Sequence, residues 1–137
     1  MNRTLTISAQ RENLEQVQGF IDDLLADRPW DPTAVLNLQI AVEELFVNIA
    51  SYAYAPGQGD VEIACALDEA AGRITVQFRD RGIPFNPLDK EDADITLSAE
   101  ERGIGGLGIY MVKNSMDAVA YDYRDGQNIM TIEKNLT

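Results

Sequence analysis

The sequence predicts an α+β fold, and three observations carry that prediction. Apolar residues recur at helical spacing over 11–26 and 31–55. They alternate with period two over 61–80 and 119–134, where Gly-bearing turns break the run into hairpins. The chain has 137 residues, 45% of them hydrophobic, which suits one domain over 1–137 with a core of its own.

Arg3 to Ser8 (RTLTIS) alternates with Leu5 and Ile7 on one side, a first strand expected at a sheet edge. Arg11 to Ala26 reads as a helix whose apolar face is Leu14, Val17, Ile21, Leu24 and Leu25. Asp27 to Trp30 connects it to the next helix, with Trp30 placed to staple against the following turn.

Asp31 to Ala55 reads as one long helix. Asp31 is the expected N-cap, Pro32 suits the first helical position, and Pro56-Gly57 stops it. Val35, Leu38, Val42, Leu45, Ile49 and Tyr52 make its core stripe. Asn37, Glu44, Asn48 and Ser51 fall on a second stripe, with Glu44 and Asn48 one turn apart. Glu43 points roughly 100° away by helix geometry. Such a stripe is either a solvated face or one side of a site.

Val61, Ile63, Cys65 and Leu67 share one face of the next strand. A turn at Glu69 to Gly72 leads to another, where Ile74, Val76 and Phe78 point inward. Asp80 is the next residue in that alternation. A carboxylate on the core side is costly unless paired. The alternative is that the strand ends first and Asp80 opens a turn with Gly82.

Residues 81–88 form a connection bracketed by Pro84 and Pro87, and residues 89–102 carry six acidic and two basic residues without a period. So long an irregular stretch suggests a lid or binding loop. Gly103-Ile104-Gly105-Gly106-Leu107-Gly108 follows and feeds a helix running to about Met116, with Ile109, Val112 and Met116 on one face. Glycines before a helix N-terminus let backbone N–H groups approach an anion, so this is a phosphate-binding arrangement. A hairpin closes the chain: Val119, Tyr121 and Tyr123 mark one strand, Asp125-Gly126 the turn, and Asn128 to Lys134 the other strand.

Composition removes several function classes. A net charge of −12 argues against direct nucleic-acid binding and against anionic membranes. One cysteine forbids an internal disulfide and fits the cytoplasm. Its place in an alternating apolar run makes Cys65 packing rather than a nucleophile. With no histidine, Ser-His-Asp and Cys-His catalysis, histidine metal ligands and phosphohistidine are all absent. No stretch is expected to reach the length of a membrane span, and the first residues lack a signal-peptide core.

The glycine run matches G-x-G-x-x-G, which alone is weak. An acidic loop, not an apolar strand, precedes it, so a dinucleotide fold is rejected. There is no Walker P-loop, and the protein-kinase H-R-D motif needs a histidine this chain lacks.

What remains is an ordered set: Glu44-Leu45-Phe46-Val47-Asn48 on a helix, Asp80-Arg81-Gly82-Ile83-Pro84-Phe85-Asn86-Pro87 after a strand, an acidic loop, then Gly103 to Ile109. Over essentially the whole chain this resembles the GHKL ATP-binding fold. Within it, the chain is similar to the anti-sigma-factor serine/threonine kinases of bacterial partner-switching systems. The resemblance implies a two-layer α/β sandwich, with a mixed, mostly antiparallel sheet covered on one face by about three helices. It also implies an ATP lid at about 88–104.

By that resemblance Glu44 is the general base and Asn48 binds Mg²⁺ and ATP. Asp80 accepts the adenine amino hydrogen, and Gly82 keeps the backbone close beneath the base. Gly103, Gly105, Gly106, Leu107 and Gly108 wrap the phosphates, and Arg102 neutralises their charge. Asn128 lies near the adenine, where many relatives carry threonine. Tyr52 stands where relatives often carry histidine. The implied function is ATP- and Mg²⁺-dependent phosphorylation of a STAS-type anti-anti-sigma factor, with sequestration of a sigma factor or another regulated output protein by a homodimer. The competing readings are a nucleotide-gated binding module without phosphate transfer, and a structural domain whose glycines serve turns.

Overall fold

The computed structural model describes residues 1–89 and 106–137. Its strands are β1 (Asn2–Ser8), β2 (Asp60–Asp68), β3 (Arg73–Asp80), β4 (Ala118–Arg124) and β5 (Gln127–Asn135). Its α-helices are α1 (Leu14–Leu25), α2 (Pro32–Asn48) and α3 (Gly106–Ser115). The predicted elements are present, with two changes of detail that bear on the site.

The first concerns the sheet. Its order is β1-β2-β3-β5-β4, and each neighbouring pair is antiparallel. The expected mixed sheet is therefore corrected to an antiparallel one among the described residues. β3 and β4 run in the same direction, because both are antiparallel to β5. They are not neighbours, since β5 folds back from a tight Asp125-Gly126 turn and lies between them. Both turn residues have positive φ, 56° and 77°, as a two-residue hairpin of matching twist requires.

One face of the sheet is buried under the helices. Val61, Ile63, Cys65 and Leu67 of β2 and Ile74, Val76 and Phe78 of β3 are buried in strict alternation. Val76 lies opposite Ile132, and Phe78 opposite Met130, on β5. Val17, Ile21 and Leu24 of α1, Leu38, Val42, Leu45 and Phe46 of α2, and Ile109 and Val112 of α3 complete the same core. Each such side chain contributes about 1.5–3 kcal/mol by leaving water, and Phe46 and Phe78 are the largest that are fully buried.

The second change concerns the long helix. Its start is as predicted: the Asp31 carboxylate accepts a hydrogen bond from the Ala34 N–H at 3.1 Å, with Pro32 at the first helical position. After Asn48, however, the α-helix gives way to a π-helical turn, Ile49–Ala53. The wider turn shifts the phase of its own residues relative to the helix before it. Tyr52, predicted for the core stripe, is instead 49% exposed. Ser51, predicted beside Asn48, instead accepts hydrogen bonds from the Arg11 guanidinium, 2.8 Å from Nη2.

Pro32–Ala53 spans 22 residues and reaches a mean hydropathy of 1.3. By length and composition it passes for a membrane span, contrary to the sequence expectation. Its apolar side is buried here against the sheet through Leu38, Val42 and Leu45.

Candidate functional site

The period-two pattern of β3 carries Asp80 onto the covered face at the strand's end, where it is only 5% exposed. Directly opposite it on β5 stands Asn128. These two are the only buried polar or charged side chains among the described residues, and they meet: Asn128 Nδ2 donates to Asp80 Oδ1 at 3.0 Å. The Gly82 N–H donates to the same oxygen at 2.9 Å. Both readings of Asp80 thus hold together, since it points inward and also opens a turn. Its other oxygen, Oδ2, takes no hydrogen bond from the described residues, and Asp80 lines a pocket.

That pocket is mostly apolar. Leu45, Ile49 and Ala53 line it from the helix side, Ile83, Phe85 and Pro87 from the connection after β3, and Met130 and Tyr121 from the sheet. Asn48 and Tyr52 also reach it. A flat aromatic ligand with one amino donor fits such a lining: apolar walls for its faces and a single carboxylate oxygen for the donor.

The connection itself is tied at several points. Asn128 Oδ1 accepts from the Phe85 N–H at 3.1 Å and from the Tyr121 hydroxyl, and Asn128 Nδ2 donates to the Ile83 carbonyl at 2.9 Å. The Ile83 N–H donates to the Ala53 carbonyl at 2.9 Å. A Cβ on Gly82 would collide with that same carbonyl, so glycine is needed for backbone to approach backbone. The resemblance places Gly82 beneath the base; the contact that requires a glycine here is with the π-turn. Tyr54, at the end of that turn, donates to the Asp60 carbonyl at 2.6 Å and accepts from the Arg81 N–H at 2.7 Å.

Two tyrosine hydroxyls in this region are held above their ordinary pKa. For Tyr121 the main cause is burial, opposed by a hydrogen bond with the Phe85 backbone and reinforced by the negative charge of Asp80. For Tyr54 burial again leads, against the hydrogen bond from the Arg81 backbone. Both are neutral donors at physiological pH. The Cys65 thiol is pushed up to about 12 by burial, which bears out its assignment to packing.

The other end of the site lies where α2 packs against α3. Asn48 faces the pocket, and Glu44 is one turn before it, half-buried. The carboxylate of Glu44 lies against Gly108 in the first turn of α3, close enough that a Cβ there would overlap it. Gly108 therefore leaves room for Glu44 beside the helix N-terminus. Gly106 and Leu107 open α3. Arg102, Gly103 and Gly105 lie outside the described residues, as does most of the 88–104 segment.

Among the described residues no cluster of three His, Cys, Asp or Glu side chains forms a metal cage. Asn48 and Glu44 present oxygen donors only. That set suits a hard cation whose remaining ligands come from phosphates and water, and it suits no soft metal.

Tyr121, Tyr54, Ile83 and Phe85 were not singled out by sequence reasoning. Tyr121 alternates with Val119 on β4, and a half-buried tyrosine needs a partner for its hydroxyl. That was the available signal.

A family model described as a histidine kinase-like ATPase domain matches residues 7–134. The serine/threonine-protein kinase BtrW of Bordetella bronchiseptica is 27% identical over 129 residues, covering 94% of this chain and 90% of its own length. The serine-protein kinase RsbW of Listeria monocytogenes is 25% identical over 131 residues, covering 93% and 83%. An anti-sigma F factor of Bacillus licheniformis is 27% identical over 127 residues, covering 89% and 82%. In shape, the chain is similar to a crystal structure of the RsbU and RsbW domains of a Mycobacterium tuberculosis protein. The TM-score is 0.67 at 17% identity, over 99% of this chain and 32% of that longer one.

Proposed function

The chain belongs to the histidine kinase-like ATPase family, and on that premise we propose that it is a serine/threonine protein kinase and anti-sigma factor. It uses ATP to phosphorylate a STAS-type anti-anti-sigma factor, and it holds a sigma factor, or another output protein, when that antagonist is phosphorylated. The supporting likeness is to relatives named as serine-protein kinases and as an anti-sigma factor. The homodimer and the cytoplasmic setting are part of the same proposal.

One observation carries the nucleotide half of this reading. Asp80 is buried in an apolar pocket, its Oδ1 holds two N–H donors, and its Oδ2 is left for one more. A 6-amino group on a purine supplies that donor, while a 6-oxo group would set an acceptor against a carboxylate. Sites built around one such buried hydrogen bond discriminate strongly against the analogue that lacks it.

The transfer half uses Glu44 and Asn48. In the reaction, a serine or threonine hydroxyl oxygen bonds to the γ-phosphorus as the bond from that phosphorus to the β–γ bridging oxygen breaks, and ADP leaves. Glu44 accepts the hydroxyl proton. Asn48 would hold Mg²⁺ through its amide oxygen, and the bound cation would neutralise charge on the triphosphate. By the family resemblance, glycines 103, 105, 106 and 108 and Leu107 would wrap the phosphates and Arg102 would neutralise their charge; of these, Arg102, Gly103 and Gly105 lie outside the described residues.

The test is incubation with Mg-ATP and a candidate STAS-domain antagonist, read by mass spectrometry for a phosphorylated serine or threonine. A phosphorylated antagonist is the expected product. Nucleotide-dependent partner binding with no phosphate on any partner would replace the kinase by a binding module. Absence of Mg-ATP binding in calorimetry would remove the nucleotide reading altogether.

A further inference from the structure

Asn128 spends its whole side chain on the protein. Both amide hydrogens have acceptors in Asp80 Oδ1 and the Ile83 carbonyl, and its oxygen accepts from the Phe85 N–H and the Tyr121 hydroxyl. Nothing is left with which to contact a nucleotide directly. Among the described residues the segment it grips has no strand partner, and Pro84 between the two gripped residues has no N–H to offer. The side chain thus supplies the pairing that a neighbouring strand would otherwise give.

We infer that Asn128 is a positioning residue for purine choice. It orients the Asp80 carboxylate and holds the Ile83–Phe85 wall of the pocket with one amide. The inference rests on the nucleotide reading above and gives Asn128 a different role from the base contact expected by resemblance. With the amide in place, Asp80 Oδ1 is engaged and Oδ2 presents a fixed acceptor to the base. Without it, the carboxylate can turn away from the base, and the fixed acceptor that separates a 6-amino from a 6-oxo purine is lost. Loss of Asn128 should therefore cost adenine affinity and narrow the preference over guanine together.

The isosteric Asn128→Asp change gives a signature that simple loss of packing would not. It places a second carboxylate opposite Asp80, and two facing carboxylates share one proton. With the proton bound, an O–H replaces the amide N–H and binding is restored. As pH rises the proton leaves, like charges face each other, and binding weakens. The nearby Tyr121 and Tyr54 hydroxyls, both raised above their ordinary pKa, stay neutral over this range.

The experiment is calorimetric binding of Mg-ATP and Mg-GTP to folded wild type, Asn128→Ala and Asn128→Asp between about pH 6 and about pH 8.5. Each variant is expressed relative to wild type at the same pH, so that the nucleotide's own titration cancels. In Asn128→Ala, ATP affinity and the ATP-over-GTP preference should each fall about tenfold or more, and in Asn128→Asp the ratio to wild type should fall about tenfold from low to high pH. A ratio that is flat with pH, or an unchanged preference in folded Asn128→Ala, overturns the inference. Amide exchange at Phe85 in the ligand-free chain needs no nucleotide and should speed up about fivefold or more in Asn128→Ala. Unchanged exchange overturns the grip on the wall. Failure of wild type to bind ATP instead overturns the nucleotide reading, and the Phe85 result still stands or falls by itself.

Discussion

The two ends of the site are built differently. At the base end, Asp80 and Asn128 are neighbours in the β3–β5 ladder, and their side chains are hydrogen-bonded to each other and to the backbone of residues 82, 83 and 85. At the other end, Glu44 and Asn48 on α2 lie beside α3, with the Glu44 carboxylate against Gly108. The first pair is fixed by the register of one sheet, whereas the second depends on how two helices pack, and packing tolerates small shifts. In the proposed reading, this separates recognition of a constant base from handling of a phosphate that must change partners.

That division can be broken by substitution. Glu44→Gln removes the proton acceptor and nothing from the base end, so transfer should fall about 100- to 10,000-fold. Radiolabel transfer to the antagonist measures it, with ATP affinity checked by calorimetry. Transfer within tenfold of wild type would remove Glu44 as the base. Asp80→Asn acts on the other end: the loss of a hydrogen bond to a charged group should weaken ATP binding about 10- to 100-fold. The rate at saturating ATP should change far less, and an unchanged Kd would sink the adenine assignment.

Gly108→Ala sharpens the boundary, because its methyl would press on the Glu44 carboxylate. A small displacement of the base should lower kcat about tenfold, with ATP affinity moved less. If affinity falls more than kcat, the phosphate and not Glu44 occupies the space beside Gly108. The smallest effect is expected from Asp31→Ala, which removes the α2 cap far from either end. Thermal unfolding should show a loss of about 1 kcal/mol, with Kd and kcat unchanged once the protein is folded.

Local pattern was enough to read much of this. Alternation along β3 offered Asp80 the core side, with a strand end and a turn at Gly82 as the other reading, and the β3–β5 register keeps it inward. Glu44 and Asn48 could be paired because helical spacing brings i and i+4 together. Asn128 was visible only as a position near the base. Its bonds to Asp80 and Ile83 span 48 and 45 residues, and they depend on β5 entering between β3 and β4. No periodicity within either segment carries that information. Ser51 failed for a different reason, since a π-turn adds a residue where the helical count assumes none. The hydrophobic run from Val35 to Ala53 continues through the turn and gives no sign of it.

The place of β5 in the sheet has a consequence for how the molecule is made. It is synthesised after the other four strands, yet it lies between β3 and β4 and supplies Asn128. A nascent chain ending before Gln127 has its first three strands and its helices, but lacks the strand through which β4 joins the sheet. Pairing of β5 with β4 is a local hairpin, whereas its pairing with β3 is long-range in sequence and slow relative to the local elements. The pocket around Asp80 and Asn128 should therefore come into being only with the β3–β5 ladder, and on the proposed reading nucleotide capture during biosynthesis marks a chain whose sheet has closed.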